Sequence, residues 1–224
     1  MANINVANIK APKAPNLPIA PNDYSQEYFN ILTNVLRLYF NQMDILFKYM
    51  VNPDIGYYLN TGYGGFSSSA TQTVSAANTP TAITFNTTDI YDSNKSLLAG
   101  QPDIYIDPTA DSHIVILIPA IYNFQFSLQL SSTNATHKVV WVWPRIDGVD
   151  VVNSATKITM DGSGNYTVAS WNFLLETLTP GSYFELIWAA DNTNIALEAS
   201  AAATSPFAVP AIPSVILTVS SVSA

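Results

Sequence analysis

Along residues 23–50 the apolar positions recur in alternating steps of three and four: Phe29, Leu32, Leu36, Tyr39, Met43, Leu46 and Met50. That spacing is the a/d seam of an α-helix carried through three heptads. Tyr28, Ile31, Val35 and Leu38 form a second shoulder and widen the apolar face. Asp23 is the expected N-cap, with Gln26 three residues on in a capping-box-like arrangement. Pro53 and Gly56 close the segment. Two packings satisfy such a seam: against symmetry mates in a short bundle, or on the chain's own remaining domain. Either way, residues 23–56 are expected to serve in oligomerisation or docking.

From residue 57 the period changes to two. In 120–131, Tyr122, Phe124, Phe126, Leu128 and Leu130 alternate with Ile121, Asn123, Gln125, Ser127 and Gln129. The first set should face a core. In 182–189, Phe184, Leu186 and Trp188 oppose Tyr183, Glu185, Ile187 and Ala189. The run 139–143, VVWVW, is apolar on both faces. Such a strand is either central and covered or buried by another subunit. Trp141 and Trp143 share one face of it, which makes them candidates for core packing or a subunit interface. Further strands are expected near 63–68, 71–76, 80–86, 104–106, 112–118, 149–152, 155–160, 168–176, 194–201 and 213–220. Turn residues bound them, and Asp147-Gly148 should close a type I′ hairpin. Many short strands with no helix between them exclude an alternating βα fold. The expected fold class is mainly β: a jelly-roll β-sandwich over 57–224, preceded by one amphipathic helix.

Residues 1–22 have neither period. Pro12, Pro15, Pro18 and Pro21 recur every third residue, a spacing that fits polyproline II and forbids a helix. The segment is either a disordered tail or an extended attachment arm. In the second case Ile4, Val6, Ile9, Leu17 and Ile19 would supply small apolar contacts with a neighbour.

Composition narrows the function classes. Charged residues make up 11% of the 224-residue chain and hydrophobic ones 48%, with a formal net charge of -8. So few basic residues cannot build an extensive phosphate-neutralising surface, and no nucleic-acid partner is expected. The chain has no cysteine, which excludes disulfides, thiolate catalysis and Cys-ligated zinc. No basic segment followed by an apolar run marks a secretory signal, and no apolar cluster reaches membrane-spanning length. The chain is therefore expected to be soluble and made without export. His113 and His137, the only histidines, have no companions at metal-ligand spacing. No nucleophile elbow or phosphate loop is present. Asp103, Asp107 and Asp111 could offer oxygen ligands to calcium but lack the EF-hand order, so a solvated acidic loop is expected. Glu176, Glu185 and Glu198 give no pair at glycosidase spacing, which leaves a carbohydrate-active enzyme as a remote alternative. A sugar-stacking platform would be sought on loops, at Tyr57, Tyr58, Tyr63 or Tyr166. No cofactor is expected.

The stretch 21-PNDYSQEY-28 with 34-NVLRLYFNQMDILF-47, and then 64-GGFSSSATQTVSAANTPTAITFNTTD-89, resembles a family of small virion proteins of tailed phages of marine and freshwater bacteria, cyanophages included. The segments 121-IYNFQFSLQLS-131, 141-WVWPRIDGVDVVNSATKI-158 and 181-GSYFELIWAADNTNIALEA-199 resemble the sheets of complement-globular-head or tumour-necrosis-factor-like jelly rolls. The terminal 210-PAIPSVILTV-219 is similar to the closing strand of the phage versions. The resemblance implies a non-enzymatic virion component, commonly trimeric, that binds the major capsid protein or another virion protein. Two roles follow from it. One is a capsid decoration or cement protein on the outer shell. The other is a short head or tail fibre used in host adsorption.

Overall fold

The computed structural model describes residues 15–19, 22–51, 62–91, 102–162, 164–177 and 179–223. The side chains of 48–51 and 223 are not described. Ile4, Val6 and Ile9 of the expected arm, and the expected stop at Pro53 and Gly56, lie outside these residues. The chain divides into two units, Met1–Asn60 and Thr61–Ala224.

The first unit is built on helix α1, Gln26–Val51. Its N-cap is Ser25, not the expected Asp23. The Ser25 Oγ accepts from the Tyr28 amide at 3.2 Å, and its carbonyl accepts from the Phe29 amide at 3.2 Å. A serine next to the first turn satisfies a free amide that Asp23, two residues earlier, does not reach. Ahead of the cap, the Tyr28 hydroxyl donates to the Pro18 carbonyl at 3.3 Å. Tyr24 stacks on Phe29 with ring centroids 5.4 Å apart. The end of the arm is thus tied to the first helical turn.

The second unit contains fourteen strands among the described residues. They are β1 (Tyr63–Ser68), β2 (Gln72–Thr73), β3 (Thr81–Ala82), β4 (Thr87–Tyr91), β5 (Ile104–Asp107), β6 (Ala110–Ile116), β7 (Ile121–Ser132), β8 (Lys138–Ile146), β9 (Val149–Asp150), β10 (Thr156–Met160), β11 (Asn165–Glu176), β12 (Ser182–Ala190), β13 (Ile195–Leu197) and β14 (Val215–Ser223). All their pairings are antiparallel. One sheet runs β2-β13-β7-β14-β1-β4, with β11 on the other edge of β7. The second runs β10-β8-β12-β6-β5, with β3 joined to β12 and β9 to β8. Below they are called the β7 sheet and the β8 sheet. This is a jelly-roll-like sandwich with a single helix before it, as the alternation predicts.

The expected strand at 80–86 shortens to β3; beyond it the Ile83 amide still bonds the Leu186 carbonyl of β12, the Phe85 amide turns to the Asp111 carbonyl of β6, and both side chains fill the core. The expected strands at 71–76 and 194–201 shorten likewise to β2 and β13. Strand β4, TTDIY, is exposed throughout and pairs at the edge with β1; its polar start gives no strand signal.

The core lies between the sheets. Tyr122, Phe124, Phe126, Leu128 and Leu130 of β7 are all buried, as their alternation requires. Phe124 stacks on Phe184 at 4.1 Å and 14°, a contact that joins the two sheets. The Tyr122 hydroxyl donates to the Ile118 carbonyl at 2.7 Å. Burial, and then the Asp103 carboxylate, push this phenol far above its ordinary pKa. Asp147 and Gly148 have φ of 50° and 77°, the left-handed pair that a type I′ hairpin between β8 and β9 requires.

Candidate interaction surfaces

Helix α1 presents more apolar surface than a simple seam. At 100° per residue, the residues from Ile45 and Leu38 round through Leu46, Met43 and Leu36 to Phe47 and Phe40 sweep about 220° of its circumference, interrupted by Gln42. The polar remainder carries Asn30, Asn34, Arg37, Asn41 and Asp44. None of its described side chains is buried. Of the seam residues, Phe29 is exposed, while Leu32, Leu36, Tyr39, Met43 and Leu46 are half-buried; the Met50 side chain lies outside the described residues. On the other rows, Ile31, Leu38, Phe40, Ile45 and Phe47 are exposed. In the arm, Leu17 and Ile19 are exposed as well. A helix apolar over most of its circumference needs cover on more than one side.

The outer face of the β7 sheet is a second such surface. Because the inward set is fixed by the core, the outward set is Ile121, Asn123, Gln125, Ser127 and Gln129 on β7. On β11 it is Tyr166, Val168, Ser170, Asn172, Leu174 and Glu176. Strand β14 adds Ile216, Thr218, Ser220 and Val222. Tyr166, Val168 and Leu174 are each about 60% exposed or more. Ile90 of β4 lies over Gly65, where a Cβ would come within 2.8 Å of its Cγ1. Glu176 is the only charged side chain among these outward positions of β7, β11 and β14. The rest are apolar, hydroxyl or amide groups, such as the Asn172–Asn123 pair bonded at 3.2 Å. A face of this composition costs less to desolvate than a charged one, provided its amides and hydroxyls find partners in the contact.

The outer face of the β8 sheet differs in chemistry. His113 stands in β6 with its ring stacked on Tyr183 at 3.9 Å and 16°. Its Nε2 is 3.5 Å from Glu185 Oε1 and its Nδ1 4.0 Å from Asp107 Oδ2. This histidine, expected as an ordinary strand-edge residue, has two carboxylate neighbours that the sequence separates widely. Hydrogen bonds from the Thr109 amide and hydroxyl hold the Asp107 carboxyl below the usual aspartate range. Of the expected acidic loop, Asp103 is buried while Asp107 closes the turn between β5 and β6. Among the described residues, no group of three or more His, Asp or Glu side chains is placed to hold a metal ion. His137 pairs with Asp161.

Trp141 and Trp143 lie on this same face of β8 and are half-buried, while Val140 and Val142 on the opposite face fill the core. The Trp143 Nε1 donates to Asp150 Oδ1 at 2.8 Å, and the Arg145 Nε donates to the same oxygen at 2.8 Å. These two hydrogen bonds hold the Asp150 carboxyl below its ordinary pKa. Sequence reading alone misses Asp150, whose only local signal is its place just after the Asp147-Gly148 turn. Among the described residues no helix is long and apolar enough to cross a membrane. Tyr57 and Tyr58 lie outside the described residues.

No known family profile matches the chain, and no curated protein matches it. Among solved structures, the globular domain of zebrafish complement 1qA protein is similar over 73% of this chain and 98% of that one, with 12% identity and a TM-score of 0.37. Murine APRIL is similar over 73% of this chain and all of its own, with 7% identity and a TM-score of 0.43. Eiger TNF from S. frugiperda covers the same share at 10% identity, with 93% of its own chain matched and a TM-score of 0.42. At these identities and scores the functional reading stands on the surfaces of this chain itself.

Proposed function

We propose that the chain is a non-catalytic phage virion protein, a capsid decoration or cement subunit that acts as a homotrimer on the outer shell. The observation that carries the oligomer is the apolar arc of α1, about 220° wide at 100° per residue, with no described side chain buried. A two-helix contact covers one stripe. In a three-helix bundle each helix touches two others, and the seam with its Ile31–Leu38–Ile45 shoulder faces both. The outer face of the β7 sheet, nearly uncharged, offers the sandwiches a second contact under the same closed symmetry. The virion assignment is supported by the sequence resemblance of 21–28, 34–47, 64–89 and 210–219. The arm, with Ile4, Val6, Ile9, Leu17 and Ile19, is the element that would grip the major capsid protein or a neighbouring virion protein. With 8 basic residues in the chain, that grip is apolar and hydrogen-bonded more than ionic. A subunit that binds only the assembled lattice stabilises that state by linkage.

Particles with and without the protein are compared for the temperature of genome release, at low and high salt. The expected result is a higher release temperature in decorated particles that survives high salt. Equal release temperatures, together with lost adsorption in depleted particles, would replace this reading with that of a short fibre.

A further inference from the structure

Strand β8 carries two neighbours on one edge, β10 along Lys138–Val142 and β9 at Arg145–Ile146. Between them the chain leaves the ladder. After Asp150 the Val151 amide returns to the Pro144 carbonyl at 3.1 Å, and Asn153 takes a φ of 58°. The Ser154 hydroxyl then donates to the Val151 carbonyl at 2.7 Å. This excursion and the two indoles border an open, shallow cavity of about 540 Å³, lined by Trp141, Trp143, Asp150, Asn153, Ser154 and Ala155 among others. Ligand sites commonly have volumes of about 300–1,000 Å³, with apolar walls and a few placed polar groups.

The polar groups here are fixed and only partly used. Asp150 is pinned through Oδ1 by Trp143 and Arg145. Among the described residues nothing bonds its Oδ2, the Asn153 amide or the Trp141 Nε1. Lys157, exposed, stands opposite Trp141 in the register. The Asp150 charge is matched by Arg145 at 2.8 Å and Lys157 adds a positive charge nearby, so nothing there favours a cation. The Asp150 carboxylate on the cavity wall still repels an anion. What remains is a carboxylate oxygen that accepts from hydroxyls, an amide that both donates and accepts, and an indole beside them.

We propose that this cavity binds a neutral saccharide. One pyranose ring lays its C–H face on Trp141, while its hydroxyls donate to Asp150 Oδ2 and bond the Asn153 amide. The indole gives contact area at small entropic cost, and the paired polar groups select hydroxyl geometry. The site's tryptophan wall sits on a strand whose other face is core, so that wall is formed before the ligand arrives. The proposal does not depend on the oligomer or the virion role.

The test uses the full-length protein on an array of neutral hexose, 6-deoxyhexose and N-acetylhexosamine oligosaccharides. The tightest binder is then titrated calorimetrically and by tryptophan fluorescence. Trp141→Ala is expected to weaken binding at least tenfold, and Asp150→Asn several-fold. Ala155 is exposed, so Ala155→Arg fills the cavity without touching the core and keeps the test open should Trp141→Ala misfold. It too should weaken binding at least tenfold. The proposal falls if no saccharide on the array binds the unaltered protein more than the Ala155→Arg variant. It also falls if Ala155→Arg lowers the sedimentation mass of the oligomer and leaves saccharide binding unchanged, which would make the tryptophan pair a subunit contact.

Discussion

The helix and the sandwich contain the same kinds of residue and treat them oppositely. In the sandwich, Phe66, Phe124, Leu128, Phe184 and Trp188 are inaccessible or nearly so. In α1, Phe40 and Leu38 are each about 60% exposed. Full burial of such a side chain is worth about 1.5–3 kcal/mol. The sandwich realises that gain within one chain, because two sheets can close over a shared layer. In α1 no described side chain is buried, and on the reading proposed above that gain is collected on association. The difference separates residues that maintain the fold from residues proposed to define the assembly.

The sharpest way to break the comparison is to delete one ring from each region. Phe124→Ala removes the partner of Phe184 between the sheets and should cost about 3–5 kcal/mol, read as a lowered denaturation midpoint of the sandwich. Phe40→Ala removes a ring of similar size from α1. It should leave that midpoint within about 0.5 kcal/mol and instead raise the concentration at which the oligomer dissociates in sedimentation.

A smaller effect probes the sandwich by pH. The Tyr122 phenol is buried and its pKa is raised, so the folded state holds its proton more tightly than the unfolded state does. Its contribution is complete below the unfolded value, near 10, and is lost as pH rises above it. Denaturation midpoints taken from pH 8 upward should fall beyond that value, and Tyr122→Phe should flatten the fall.

The smallest expected change is at the helix cap. Ser25→Ala removes the oxygen that accepts from the Tyr28 amide and should cost about 1 kcal/mol of helix stability. It should appear as lower helical ellipticity at dilute concentration, with the sandwich transition unmoved.

The sequence shows which residues of β7 are inside, because a strand alternates and one face must be dry. It also shows the helix and its apolar arc, because an α-helix repeats every 3.6 residues. Strand β4 has no such signal: Thr87, Thr88 and Asp89 are polar, and only the edge of β1 recruits them. The shortened β3 was hidden for the opposite reason. Ile83 and Phe85 look like residues of one strand, but the Ile83 amide bonds β12 while the Phe85 amide turns to β6, so the pairing with one neighbour is cut short. The outer face of the β7 sheet was half legible, since its outward residues follow from the alternation and its near lack of charge from composition.

What the sequence by itself determined is therefore periodic and local: one helix, a run of strands, the inward set of each long strand, and the turn at Asp147-Gly148. Only the tertiary structure decided what meets what. Asp107 and Glu185 flank His113 from two different strands. Trp143 and Arg145 converge on Asp150 through a hairpin and leave an open cavity beside Trp141. Periodicity records the direction in which a side chain points from its own backbone. Register between strands sets its neighbours, and register is fixed by the packing of the whole sandwich.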